Sequence, residues 1–531
     1  MKNFYSKIKL FRVIFSLTYF LSIVFLFLEF KFKLAANFAD YILFFQFAPS
    51  LIKFIFDASL LPIIYVLSLL FLTLIFGRFY CSFLCPLGVL QDIFIKLFQK
   101  LKILKQKFQS NKLQKLQYVL TIIIFSSLAF NFILPLSLFD PYSIAGKLLG
   151  NFLIPLVVYI NNEIAYFINS LDFYFISPEK NIHFNFYSAL FSLILFAIVF
   201  VALAFYGRFY CNSICPVGGI LSFASKFSLF KLKISSDQCL NCSLCQKYCK
   251  ANCIDYKNNT IDFSRCVLCF NCLTYCSKNG IKFELDYKRN SLPKENGVIS
   301  KSRRNFLNTI TFSAAGILIL NDDLEAQKRN RHKNNNLLYD SIELNRSKQP
   351  IIPPGAISLQ NYSTKCVSCM LCVASCPTKV IVPTFNEFGW DKLFIPKLDY
   401  NYAYCQYDCV VCSEVCPTDA ILKITIEQKQ EIQLGKVRFK KRYCIVHTDN
   451  VECGACSEHC PTKAVNMIPY RGLHLPAVND EICVGCGACE HVCPARPRKA
   501  IIVEAHSIHQ KAQKPKSDFE ERTHNEKLFP F

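Results

Sequence analysis

Residues 239–249 read CLNCSLCQKYC and residues 266–276 read CVLCFNCLTYC. Both follow the spacing C-x2-C-x2-C-x3-C. In two-cluster ferredoxins three close cysteines wrap one [4Fe–4S] cube and the fourth ligates the other. Each iron corner needs a thiolate, and two-residue gaps let one tight loop present three of them. The predicted sets are Cys239, Cys242, Cys245 with Cys276, and Cys266, Cys269, Cys272 with Cys249. Zinc sites also use paired cysteines, but zinc closes on four ligands and a triple run fits it poorly. Cys253 is left over and is expected to be a buried free thiol.

Working outward, four more motifs lie C-terminally. They are Cys366-x2-Cys369-x2-Cys372-x3-Cys376-Pro377, Cys405-x3-Cys409-x2-Cys412-x3-Cys416-Pro417, Cys444-x8-Cys453-x2-Cys456-x3-Cys460-Pro461 and Cys483-x2-Cys486-x2-Cys489-x3-Cys493-Pro494. Sixteen thiolates make four cubes, so six [4Fe–4S] clusters are expected in all. Only the middle two motifs have expanded first gaps. That asymmetry predicts nested pairing, first with fourth and second with third, with sequential pairing as the alternative.

The N-terminal part is of a different kind. Apolar stretches near 10–30, 59–79, 118–139 and 184–206 are each long enough to cross a hydrocarbon core as a helix. Weaker stretches at 35–56 and 151–175 carry scattered polar residues and are expected to lie at the membrane surface. Lysine and arginine crowd the N-terminus, the loop after the second span and the segment after the fourth, which places these inside. The element Gly77-Arg78-Phe79-Tyr80-Cys81 recurs as Gly207-Arg208-Phe209-Tyr210-Cys211, and both copies continue as C-x3-C-P through Cys85-Pro86 and Cys215-Pro216. Such repeats often pack about a pseudo-two-fold axis. Cys81, Cys85, Cys211 and Cys215 are therefore candidate ligands of a metal or small cluster; alternatively, each Cys-Pro only ends a helix. His183, Asp140 and Glu163 are candidate proton acceptors or simply solvated groups. Arg78 and Arg208 either steady thiolates or snorkel to the interface.

The sequence Ser302-Arg303-Arg304-Asn305-Phe306-Leu307, followed by the apolar run 309–320, reads as a twin-arginine export signal retained as an anchor; the alternatives are positive-inside residues of a fifth span, or a short apolar run that stays inside and leaves all six clusters cytoplasmic. The resulting fold class is multi-domain: an α-helical membrane bundle of four spans with an internal duplication, plus α+β ferredoxin-like dicluster domains. The expected units are a membrane domain at 1–236, a cytoplasmic ferredoxin at 237–290, the signal or anchor at 291–325, and a linker at 326–360. A periplasmic polyferredoxin at 361–505 and a disordered tail at 506–531 complete them.

Composition narrows the function. The 531 residues are 52% hydrophobic and 18% charged, which excludes a disordered chain. The formal charge of +22 counts 29 cysteines as neutral, and cluster ligation offsets much of it, so nucleic acid is not an expected partner. The absence of C-x-x-C-H and of a glycine-rich nucleotide motif predicts no haem, NAD or flavin.

Residues 1–290, with four spans, two C-x3-C-P elements and two clusters, resemble NapH/MauN-type membrane ferredoxins. Residues 302–505, with the twin-arginine leader, Pro353-Pro354-Gly355-Ala356 and four cysteine motifs, resemble NapG/MauM-type periplasmic ferredoxins. The resemblance implies a fusion of the two and a quinol dehydrogenase branch. Electrons would leave the membrane quinol pool for a periplasmic c-type cytochrome and then a terminal reductase of nitrate or nitrous oxide type. Cys405-x3-Cys409 departs from the wider NapG spacing. Two other functions stay open: an electron donor for maturation of a periplasmic metalloenzyme, and a redox-sensing scaffold.

Overall fold

The computed structural model describes residues 2–28, 35–57, 59–102, 112–172, 178–179, 185–235, 238–276, 278, 280–285 and 349–514. The twin-arginine sequence and His183 lie outside them.

The N-terminal region is helical. Phe4–Leu28, Pro141–Asn169 and Phe186–Tyr206 are long and apolar enough to cross a membrane, and Phe38–Phe44 with Phe47–Asp57, bent by 94°, would make a fourth span if counted as one. Two expectations change here. Leu60–Phe76 and Gln114–Ala129 are apolar but shorter. The stretch expected at the surface near 151–175 belongs instead to the long helix Pro141–Asn169, which runs unbroken through a π-helical turn at Leu149–Leu153.

Two interrupted helices mirror each other. The first breaks at Phe45-Gln46, between Ala35–Phe44 and Phe47–Asp57. The second breaks at Asp140, between Leu134–Phe139 and Pro141–Leu148. Each break meets one repeated tyrosine. The Tyr80 hydroxyl accepts from the Phe47 amide at 3.2 Å, and the Tyr210 hydroxyl donates to the Phe139 carbonyl at 2.5 Å. Asp140 is 1% exposed, not solvated as one reading held: it caps the helix that follows, accepting from the Ser143 amide. Glu163 is exposed.

The cysteine-rich regions are small α+β units built on two-stranded antiparallel sheets. Phe230–Ile234 pairs with Ile281–Leu285 around the first two motifs, so that unit begins before residue 237. Ile432–Phe439 pairs with Ile501–Lys511. The strand therefore continues into the tail expected to be disordered, because its last residues find partners in Gln433 and Ile432. The linker's end is also folded: Ile351 bridges Leu398, and Leu359–Lys365 is a helix.

Both regions pack on the same helices, at opposite ends. Near the start of Lys2–Leu28, Lys9 donates to Thr274 at 3.3 Å, while Ile23, Leu26 and Phe27 share a core with Val367, Cys369 and Leu371. On Phe186–Tyr206, Asn185 donates to the Pro383 carbonyl at 3.1 Å and the Phe191 ring packs, tilted, against Phe394, whereas the Tyr206 carbonyl accepts from Asn252 at 2.9 Å. At 1.5 Å rise per residue, the two ends of this helix are about 30 Å apart.

Candidate iron–sulfur centres

The repeated element explains itself in three dimensions. Cys85 and Cys215 are N-caps of the helices Pro86–Lys100 and Pro216–Ser225, and each sulfur accepts from a backbone amide, Gly88 at 3.3 Å and Gly218 at 3.2 Å. The proline stands in the first turn, where its missing N–H costs nothing. Cys-Pro thus starts a helix here and does not end one. The glycines are required by close approach, because a Cβ at Gly88 or Gly218 would collide with the carbonyl of Cys81 or Cys211.

The arginines cross over. Arg78 donates to the Cys211 carbonyl at 2.7 Å, and Arg208 donates to the Cys81 carbonyl at 2.7 Å. Each repeat therefore fixes the other's first cysteine, and neither guanidinium snorkels: both are fully buried. The four cysteines are 3–4% exposed. Burial pushes the Cys85 thiol up, and Cys211 and Cys81 push it further; burial likewise raises Cys215, followed by Cys211, Cys85 and Cys81. All four sulfurs lie within one another's electrostatic reach.

The same element carries the first cysteine-rich unit. Ser82 donates to the Val267 carbonyl, and its counterpart Asn212 donates to the Ala251 carbonyl at 3.1 Å. These carbonyls belong to the loops of Cys266–Cys272 and Cys249. Those four cysteines line one cavity, and Cys239, Cys242, Cys245 and Cys276 line a second. Cys253 also lines the first, with its sulfur 3.5 Å from that of Cys249. Its replacement by alanine is expected to leave the iron content unchanged, because the other four already form the ferredoxin set. Loss of a cluster's worth of iron by metal analysis would make Cys253 a ligand.

In the C-terminal region, Cys376, Cys405, Cys409 and Cys412 line one cavity, and Cys444, Cys453, Cys456 and Cys493 another. Burial raises the thiols of Cys366, Cys369 and Cys372, and the Cys416 sulfur raises each further. Burial raises Cys483, Cys486 and Cys489, and Cys460 acts on all three. Pairing is therefore sequential, first motif with second and third with fourth, and the nested expectation fails. The physical reason is local: helix Leu371–Ser375 packs on Val411–Glu414, and Ala455–Glu458 on Ala488–Val492, so neighbouring motifs fold on each other. The wider first gaps are absorbed in loops. Among the described residues, no three Cys, His, Asp or Glu side chains close on one point as a single metal ion would require.

A buried charge cluster joins the first unit to the helices. Asp92 binds Arg12 at 2.9 Å, Lys250 at 2.8 Å and the Arg208 Nε at 2.9 Å. Burial alone would raise its pKa, but Arg208, Lys250 and Arg12 hold the carboxyl well below the usual carboxylate range. None of these contacts was legible in the sequence, where Asp92 is one acid in a basic stretch.

Residues 59–105 and 188–235 each match the family described as a 4Fe-4S binding domain, and 365–420 and 451–496 each match the 4Fe-4S dicluster domain. The chain thus carries ferredoxin-type 4Fe-4S domains beside a helical region. Two uncharacterized proteins of Methanocaldococcus jannaschii are similar to it. One is 27% identical over 185 residues, 34% of this chain and 53% of the relative; the other is 28% identical over 185 residues, 34% and 60%. YccM of Escherichia coli, which is named for electron transport, is 23% identical over 178 residues, 34% of this chain and 43% of the relative. The chain spans about half the length of these curated relatives. No solved structure matches it.

Proposed function

We propose that this chain is a membrane-bound electron-transfer protein with six [4Fe–4S] clusters, oxidising quinol and feeding a periplasmic respiratory reductase through a c-type cytochrome. It sits in the cytoplasmic membrane, with the 230–285 unit inside and the 349–514 unit outside, exported under the Ser302–Leu307 signal. When bound, each cluster supplies one-electron chemistry.

The observation that carries this reading is the placement of the two cysteine-rich units at opposite ends of the same helices. The cysteine sets also form rows. The Cys249 set lies against the helices, and the Cys239 set, with exposed Cys242, lies beyond it. At the other end Cys369 is nearest the helices, its carbonyl against Gly146. The Cys405 set follows, joined to the Cys483 set by the Cys405 amide on the Cys486 carbonyl at 3.0 Å. Cys489 then feels Cys456 of the last set. Around Cys444 the surface presents exposed Lys441, Arg442, Arg496 and Arg498, a cationic rim suited to an acidic redox partner.

A quinol site is supported by an apolar cleft of about 400 Å³ walled by Phe15, Tyr19, Tyr41, Phe45, Phe79 and Phe83. At its base Gln46 donates to the Tyr19 hydroxyl at 2.7 Å, and the Tyr80 hydroxyl donates to Gln46 at 3.3 Å, beside Cys81. Anaerobic protein in vesicles should lose its visible cluster absorption on adding quinol. Bleaching by dithionite with none by quinol would overturn the quinol reading.

A further inference from the structure

We propose that Cys81, Cys85, Cys211 and Cys215 together hold one additional iron–sulfur cluster, shared between the two repeats and lying between the two cysteine-rich units. Its existence stands on the residues below; its use as a relay rests on the function proposed above.

Cysteine counting comes first. Each stretch matching the 4Fe-4S binding domain, 59–105 and 188–235, contains only two cysteines. A cube or a two-iron core needs four thiolates, so neither stretch completes a site alone. The crossed arginines bring the two pairs together, and all four sulfurs are buried in one another's reach.

Charge is the second, independent observation. Arg78 is 0% exposed, yet its partners are neutral: Asn212 at 2.8 Å, the Ser264 carbonyl at 3.1 Å and the Cys211 carbonyl at 2.7 Å. Among the described residues no carboxylate faces it. A buried cation is normally paired. The nearest atom able to carry negative charge is the Cys81 sulfur, 4.0 Å away. Nearby, Arg12, Arg208 and Lys250 share the single carboxylate of Asp92. At this end of the helices four buried cations, Arg12, Arg78, Arg208 and Lys250, stand around one carboxylate, Asp92. A cluster with four thiolates is anionic in its usual oxidation states, and the Cys249 set and the central four supply two such places.

Unpaired polar atoms are the third. Gln91 accepts from the Cys211 sulfur at 3.2 Å, and its Nε2 has no partner; the Nε of Arg78 and the Oε1 of Gln117 are equally buried and unpaired. Two of the three are donors beside the sulfurs, where core sulfides or thiolates would accept from them. The helix N-termini at Cys85 and Cys215 favour negative charge on those two sulfurs as well.

The test is metal and sulfide analysis with Mössbauer spectroscopy on anaerobic full-length protein. The expected result is two or four irons per chain beyond the twenty-four of six cubes. Changing Cys81 and Cys211 to serine should remove that increment while the ferredoxin signals remain. If that variant does not fold, Gln91→Leu should fold and shift the spectrum of the extra component alone. A fully loaded wild type with no iron beyond the ferredoxin complement, or zinc at these sulfurs, would overturn the inference and leave the proposed function standing. A chain lacking the ferredoxin signals would instead sink that function.

Discussion

Asp92→Asn is expected to destabilise the protein by about 3–5 kcal/mol, the range for removing one partner of a buried ion pair. The side chain touches Arg12, Arg208 and Lys250, one from the first helix, one from the second repeat and one from the first cysteine-rich unit. The asparagine amide keeps the shape but not the charge. It leaves three buried cations facing each other with no compensating anion among them. The loss should appear as a lowered midpoint in thermal melts in detergent, together with early release of iron from the Cys249 set, because Lys250 follows Cys249 in the chain. The pH dependence has a definite sign. The carboxyl is depressed in the folded state, so its contribution is complete above the ordinary carboxylate pKa of about 4 and fades only as acid approaches the folded value. A melt unchanged between wild type and variant at neutral pH would show that the cluster of charges does not hold these parts together.

Gly146→Val is expected to separate the 349–514 unit from the helices without removing any cluster ligand. A Cβ at this position would collide with the Cys369 carbonyl oxygen, and one helical turn further on a Cβ at Gly150 would press on Met370. Beside them Lys147, 1% exposed, donates to the Ser137 carbonyl at 2.7 Å and lies 5.2 Å from the Phe394 ring centre. Backbone meets backbone here, so the strain cannot be relieved by turning a side chain. Electron transfer weakens steeply as donor and acceptor separate. Stopped-flow reduction from the inner face should show the inner clusters filling normally and the outer ones lagging, with iron content equal to wild type. Equal rates would mean that Cys369 is not the near end of the outer row.

The division into cysteine-rich and helical parts was readable, because cube ligation forces a spacing that chance seldom produces. The repeat Gly-Arg-Phe-Tyr-Cys was readable for the same reason. What the arginines do was not: Arg78 and Arg208 act across 133 and 127 positions of the chain, on carbonyls that carry no sequence signature. Sequential pairing of the C-terminal motifs is not legible in their gap lengths, because loops absorb extra residues cheaply. Two signals were available and passed over. Asp140-Pro141 and Cys85-Pro86 have the form of a capping residue followed by proline in the first turn, which marks a helix beginning. Read that way, the break at Asp140 and the helix start at Pro86 follow.

The exchanged arginine contacts have a genetic consequence. Because each repeat anchors its twin's first cysteine, one half synthesised alone would present an unsupported loop and a stranded guanidinium. Cutting the gene between residues 105 and 112 and expressing both pieces should restore an assembled protein by complementation, whereas either piece alone should be degraded. The two copies of the repeat would then depend on each other, so that a change in one is constrained by the other.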